Sequence, residues 1–125
     1  MVAMSKQHGR LTLTLMSKAR DAVLIALPDG EQLEIECRVI VLPQAKLALS
    51  APPGADGFRL GWEGQQIPLI GDGRVWVGVD DSVLIFTPDG TKITITCVQL
   101  DTNKVRIAIQ APRSYRISRD EWDGR

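Results

Sequence analysis

The 125-residue sequence is poor in aromatic side chains, with three Trp, two Phe and one Tyr. Its core must therefore be assembled mainly from Ile, Leu and Val. There is one histidine, His8, in an N-terminal tail without a chemical partner, and no His/Cys cluster has metal-ligand spacing. No glycine-rich phosphate loop sits between a strand and a helix pattern. These absences leave no catalytic residue, metal site or cofactor to nominate, and the chain reads as a non-enzyme. Excess charge is missing too: 15 Lys+Arg balance 15 Asp+Glu. Any nucleic-acid surface must then be local. No apolar run approaches bilayer length, and Thr interrupts the apolar stretch after the basic start MVAMSKQHGRLTLTLM, unlike a signal peptide. The expected compartment is the cytoplasm, with no membrane partner.

Cysteine is also scarce. Cys37 and Cys97 each lie in an alternating run, LEIECRV and ITITCVQ, on the face of the Ile two residues before. Both read as small buried hydrophobes, in preference to a disulfide or a metal ligand.

What is present is a repeat. A shift of 60 residues places Asp21, Val23, Leu24 and Ile25 on Asp81, Val83, Leu84 and Ile85, and Pro28-Asp29-Gly30 on Pro88-Asp89-Gly90. Cys37 meets Cys97, Ala51-Pro52 meets Ala111-Pro112, Arg59 meets Arg119 and Trp62 meets Trp122, without a gap. The register indicates a tandem duplication: a tail over 1–10, repeat one over 11–62, a linker over 63–73 and repeat two over 74–125.

Each repeat reads as five strands. In the second, RVWVGV alternates and Val83–Phe86 is a short apolar run. Pro88-Asp89-Gly90 then turns the chain. KITITCV and KVRIAIQ alternate with Ile93, Ile95, Cys97 and Val105, Ile107, Ile109 inward. Ala111-Pro112 stops that strand, SYRIS is a last short one, and Arg119–Trp122 reads as the start of a helix. A five-stranded unit of this size has little core of its own, so the repeats are expected to lend each other strands. The linker GWEGQQIPLIGDG holds four glycines and a proline and is not a helix.

The stretch KITITCVQLDTNKVRIAIQAPRSYRISRDEW resembles the carbon storage regulator family (CsrA, also called RsmA), small bacterial RNA-binding translational regulators. The match runs through Thr94-Ile95-Thr96, Asn103, Val105–Ile109, Ala111-Pro112 and Ser118–Glu121; the first repeat matches more loosely through Lys46–Leu49, Ala51-Pro52 and Phe58-Arg59. The resemblance implies an all-β fold with little helix. Two five-stranded CsrA-like repeats would intertwine into a single-chain pseudo-dimeric sandwich or barrel.

It also implies a site that grips GGA-type hairpin-loop RNA, in an mRNA or small regulatory RNA and not in DNA, between the first strand of one repeat and the last of the other. Carried over residue by residue, the first site combines Leu15, Met16, Ser17 and Lys18 with Arg116, Ile117, Ser118 and Arg119. The weaker second site combines Val75, Trp76, Val77 and Gly78 with Gly57, Phe58 and Arg59. Trp76 is its candidate new contact, while Trp62 and Trp122 read as packing anchors.

Charge favours the first site. From Asn103 to Arg119 there are five basic residues and no acid, whereas Pro43 to Arg59 holds Lys46 and Arg59 against Asp56. The expected function is translational regulation by occlusion, through one dominant RNA site. The alternative is a protein-interaction or decoy member without RNA binding, which would bind a regulator partner of the flagellar assembly factor type.

Overall fold

A computed structural model describes residues 8–17 and 21–121 of the chain. Eleven strands and no helix appear among them: β1 (His8–Met16), β2 (Asp21–Ala26), β3 (Gln32–Val41), β4 (Gln44–Ser50), β5 (Arg59–Trp62), β6 (Gln65–Pro68), β7 (Asp72–Val77), β8 (Ser82–Phe86), β9 (Lys92–Leu100), β10 (Lys104–Pro112) and β11 (Arg116–Glu121). The all-β expectation holds. The strands form two open sheets, one ordered β1-β10-β9-β8-β5-β6 and the other β11-β2-β3-β4-β7.

The order shows how the halves exchange strands. β2-β3-β4 and β8-β9-β10 are equivalent antiparallel meanders, each built by hairpins. The first strand of each half pairs with the last meander strand of the other, β1 with β10 and β7 with β4. The fifth strand crosses as well, β5 onto β8 and β11 onto β2. One core results: Val23, Ile35 and Leu49 from the first half pack in the same buried cluster as Ile85, Ile95 and Ile107 from the second.

Local sequence chooses these elements for simple reasons. In β9 the burial alternates, with Ile93, Ile95 and Cys97 inside and Thr94 and Thr96 towards solvent, the period-2 pattern of a half-buried strand. The two Pro-Asp-Gly turns close alike. Leu27 N–H donates to Glu31 O at 2.8 Å and Thr87 N–H to Thr91 O at 2.9 Å, with Gly30 and Gly90 at φ 94 and 89°. These carboxylates are turn groups. Hydrogen bonds from Thr87 and then Thr91 hold the Asp89 carboxyl below its ordinary value.

Four local expectations need correction. β1 begins at His8, within the stretch read as a tail. The linker contains a strand, because Glu63 and Gly64, at φ 51 and 78°, turn the chain tightly and β6 folds back along β5. The helix expected from Arg119 is strand as far as Glu121, drawn into the ladder by pairing with Asp21–Val23; Trp122 lies outside the described residues.

The correspondence between the two halves is also not gapless in space. Four residues (17–20) separate Met16 from Asp21, but only two (79–80) separate Gly78 from Asp81, and each Asp side chain accepts a hydrogen bond from the backbone N–H of the residue just before that interval. At the far end, Arg59 pairs with Phe86 whereas Arg116 pairs with Ala26, so Arg59 occupies the level of Arg116. The extra residues are Asp56-Gly57-Phe58. Gly57 turns at φ 92° against Pro88, and Phe58 is thereby inserted into the core at 1% exposure.

Candidate nucleic-acid interface

β1 and β11 are edge strands of different sheets that border one open side of the sandwich. β2, which begins at Asp21 next to the end of β1, carries β11 on its other edge. Alternation on β11 turns Ile117 inward against the core, opposite Ile25, and puts Arg119 on that same face, opposite Val23. Arg116 and Ser118 face out.

Asp21 closes the arrangement. Its Oδ2 accepts the Met16 N–H at 3.0 Å, and its Oδ1 lies 3.5 Å from Arg119 Nε. The Asp21 side chain is 6% exposed and the Arg119 side chain 30% exposed, so a buried anion holds a cation at the rim of the opening. An ion pair with one buried member restricts the guanidinium far more than a surface pair does.

The sequence-predicted residues fall as follows. Arg116, Ile117, Ser118 and Arg119 line up on β11, and Leu15 and Met16 end β1. Leu15 is fully buried, so its side chain belongs to the core and only its backbone is available at the edge. Ser17 is turned back: its N–H and its hydroxyl both donate to Asn103 O, at 3.0 and 3.2 Å, tying the end of β1 to the β9–β10 hairpin. Lys18 lies outside the described residues.

Beside this opening the outer face of β1, β10 and β9 is cationic. Lys104 stands opposite Met16, Arg106 opposite Thr14, and both line a shallow depression of about 260 Å³ with Thr14, Gln99 and one acid, Asp101. Arg113 and Arg116 are exposed on the connection into β11 and at its start. Edge-strand backbone groups, hydroxyls and several cations suit unstacked bases and phosphates.

Of the residues read as a second site, Phe58, Arg59 and Trp76 do not converge. Phe58 is core, which corrects its reading as a ligand. Arg59 faces outward on β5, with its guanidinium 5.9 Å from the Phe86 ring centroid, because the three extra residues before it shift the register. Trp76 is exposed on β7, under the Lys46 ammonium at 5.3 Å. The position level with Arg119 is Trp62, the next residue after the Gly61–Leu84 pair. The outer edge of β5 is moreover paired with β6, whereas β11 ends its sheet.

Sequence reasoning missed Asp21 as a positioning residue. The signal was its match with Asp81 in the repeat, which was read only as register. Among the described residues no group of three or more His, Cys, Asp and Glu is placed to hold a metal, and no helix is long and apolar enough to cross a membrane.

Comparison with known proteins adds one finding. Residues 78–123 match the CsrA family, described as a global regulator protein family. The matched segment is little more than a third of the chain; it carries β8–β11, including Arg116–Arg119, and the likeness to that family is a likeness of this segment. No curated protein and no solved structure matches the chain.

Proposed function

We propose that the chain is a tandem, single-chain form of the CsrA-type regulator that binds GGA-type hairpin-loop RNA at the opening between β1 and β11. The observation that carries this reading is the placement of Arg119. It is held by buried Asp21 beside the end of β1, in a basic stretch free of acid, within the segment that matches the family. Loop bases splay into the opening and meet the edge backbone of β1 and β11, Arg119 supplies a base-edge or phosphate contact, and Lys104, Arg106 and Arg116 receive flanking phosphates. The action is occlusion: a bound loop of an mRNA is withheld from the ribosome, or a small regulatory RNA competes for the same opening.

One site dominates. Its counterpart has Trp62 at the level of Arg119, and Val79-Asp80 in place of the Ser17–Arg20 segment. Titration of a GGA-loop hairpin into the protein tests the proposal. One RNA per chain is expected, with binding tighter than about 10 μM and a loss of at least tenfold in Arg119→Ala. No binding below that concentration, or equal binding by wild type and Arg119→Ala, overturns it.

A further inference from the structure

The pseudo-symmetric counterpart of the Arg119 opening lies between β5–β6 and β7, and its chemistry is of another kind. It is an open cleft of about 520 Å³ lined by Trp62, Glu63, Arg74, Trp76, Asp81 and Gln44 among others. In the first opening a buried aspartate is matched by an arginine of the neighbouring last strand. Here Asp81 again accepts the backbone N–H that follows the first strand, from Gly78 at 2.7 Å, but the level of Arg119 is occupied by an indole. The cation that completes the first site is missing from the second.

The remaining charges sharpen this. Arg74 is paired with Asp72 at 3.2 Å, so its charge is met within β7. Glu63 and Asp81 have no ion pair with a described cation. Two indoles beside two carboxylates form the environment that receives an organic cation, since a ring face attracts positive charge and the carboxylates add to it. Trp76 already accepts one, the Lys46 ammonium at 5.3 Å from its ring.

At the end of the cleft the surface becomes apolar. Val41, Leu42 and Val79 are 61, 52 and 52% exposed, where the first opening has Asp101 and Thr102 at the positions of Val41 and Leu42. β7 is the last strand of its sheet, so its outer edge is available to a further strand.

We propose that this cleft docks an extended basic segment of a partner protein, whose Arg or Lys side chain is received by Trp62, Trp76, Asp81 and Glu63 while its aliphatic side chains cover Val41, Leu42 and Val79. Charge complementarity decides for a cationic partner, and the open edge of β7 for an extended one. The proposal does not depend on RNA binding at the other opening.

The test titrates the isotope-labelled full chain with an end-blocked hexapeptide alternating Arg and Val, and with the same peptide carrying citrulline for Arg. The Arg peptide is expected to shift the indole N–H signals of Trp62 and Trp76, assigned with Trp62→Phe and Trp76→Phe, and to bind at least tenfold more tightly than the citrulline peptide. Trp76→Ala and the double variant Glu63→Gln/Asp81→Asn should each lose at least tenfold, with the Arg peptide still silent towards Arg119. Equal binding of the two peptides, no shift at about 1 mM peptide, or shifts centred on β1 and β11 overturns the proposal. So does a GGA hairpin that moves both indoles, which makes the cleft a platform for bases.

Discussion

Arg119 Nε lies 3.5 Å from Asp21 Oδ1, while the other oxygen of that carboxylate accepts the Met16 N–H at 3.0 Å. One buried anion thus couples the last strand of the second half to the end of the first strand of the first half, although the two strands belong to different sheets. Replacing Asp21 by Asn keeps the shape and removes the charge that the guanidinium faces. A loss of about 1–3 kcal/mol in unfolding free energy is expected, the usual result of breaking a buried charged hydrogen-bonded group. Asp81 holds an equivalent N–H but is exposed. Asp81→Asn should lose less than about 1 kcal/mol. Urea unfolding of both variants decides, and equal losses would contradict the assigned role of burial.

Phe58 supplies the second expectation. With 1% exposure it fills the core beneath the β4–β5 connection, so Phe58→Ala should cost about 3–5 kcal/mol. In the fraction that remains folded, affinity for the GGA hairpin should be unchanged. A variant with native stability and weakened RNA binding would restore Phe58 to the interface.

Phe58 also marks the boundary of what the sequence discloses. The strands and turns follow from period-2 alternation and Pro-Asp-Gly chemistry and reappear in β2–β4 and β8–β10. The exchange expected from the small core of one half is the pairing of β1 with β10, β4 with β7, β5 with β8 and β2 with β11. Arg116–Arg119 could be nominated from sequence too, because they sit in a motif, and they lie together on the edge strand β11. The offsets could not. Identity at Asp21/Asp81, Arg59/Arg119 and Trp62/Trp122 supports a gapless alignment, yet burial of Phe58 and the shorter Gly78–Asp81 interval move whole strands by a few residues. Register in an edge strand is fixed by what it packs against, and alignment within one chain contains no such information. The Asp21–Arg119 pair joins residues 98 positions apart, which local pattern cannot reveal.

The β5–β6 turn offers a stabilising change. Glu63 and Gly64 have φ 51 and 78°, and both central positions of such a tight hairpin favour Asn-Gly. Glu63→Asn should raise stability by about 0.5–1 kcal/mol, and Gly64→Ala should lower it by a similar amount or more. Thermal unfolding of the pair measures both signs; a destabilising Glu63→Asn would show that the Glu63 side chain contributes more than its backbone strain costs.

The thiols set a pH dependence. Burial, with a smaller contribution from Cys97, pushes the Cys37 thiol from 9.0 up to about 11, and burial raises Cys97 as well. Between pH 9.0 and about 11 the unfolded chain has lost the Cys37 proton while the folded chain retains it. Stability is therefore fully present below pH 9.0 and falls as pH rises towards about 11. Cys37→Ala should remove part of that decline, read by chemical unfolding from pH 8 to 11. An unchanged slope would assign the decline to other groups. At neutral pH neither native thiol should react appreciably with an alkylating reagent.

The last expectation concerns the phosphates. Lys104 and Arg106 line the depression beside β1, on the face that flanks the Arg119 opening. If each neutralises one phosphate of the bound hairpin, it releases condensed counterions on binding. Removing it then lowers the magnitude of the slope of log K against log salt by about 0.7–0.9. Lys104→Ala and Arg106→Ala should each show that change together with weaker binding. Arg59→Ala and Arg74→Ala are the contrast, because Arg59 lies over Phe86 and Arg74 is paired with Asp72. Their slopes should equal that of the wild type. A uniform reduction in all four variants would mean that the RNA responds to overall charge and not to the Arg119 side of the sandwich, and the single-site reading would fall with it.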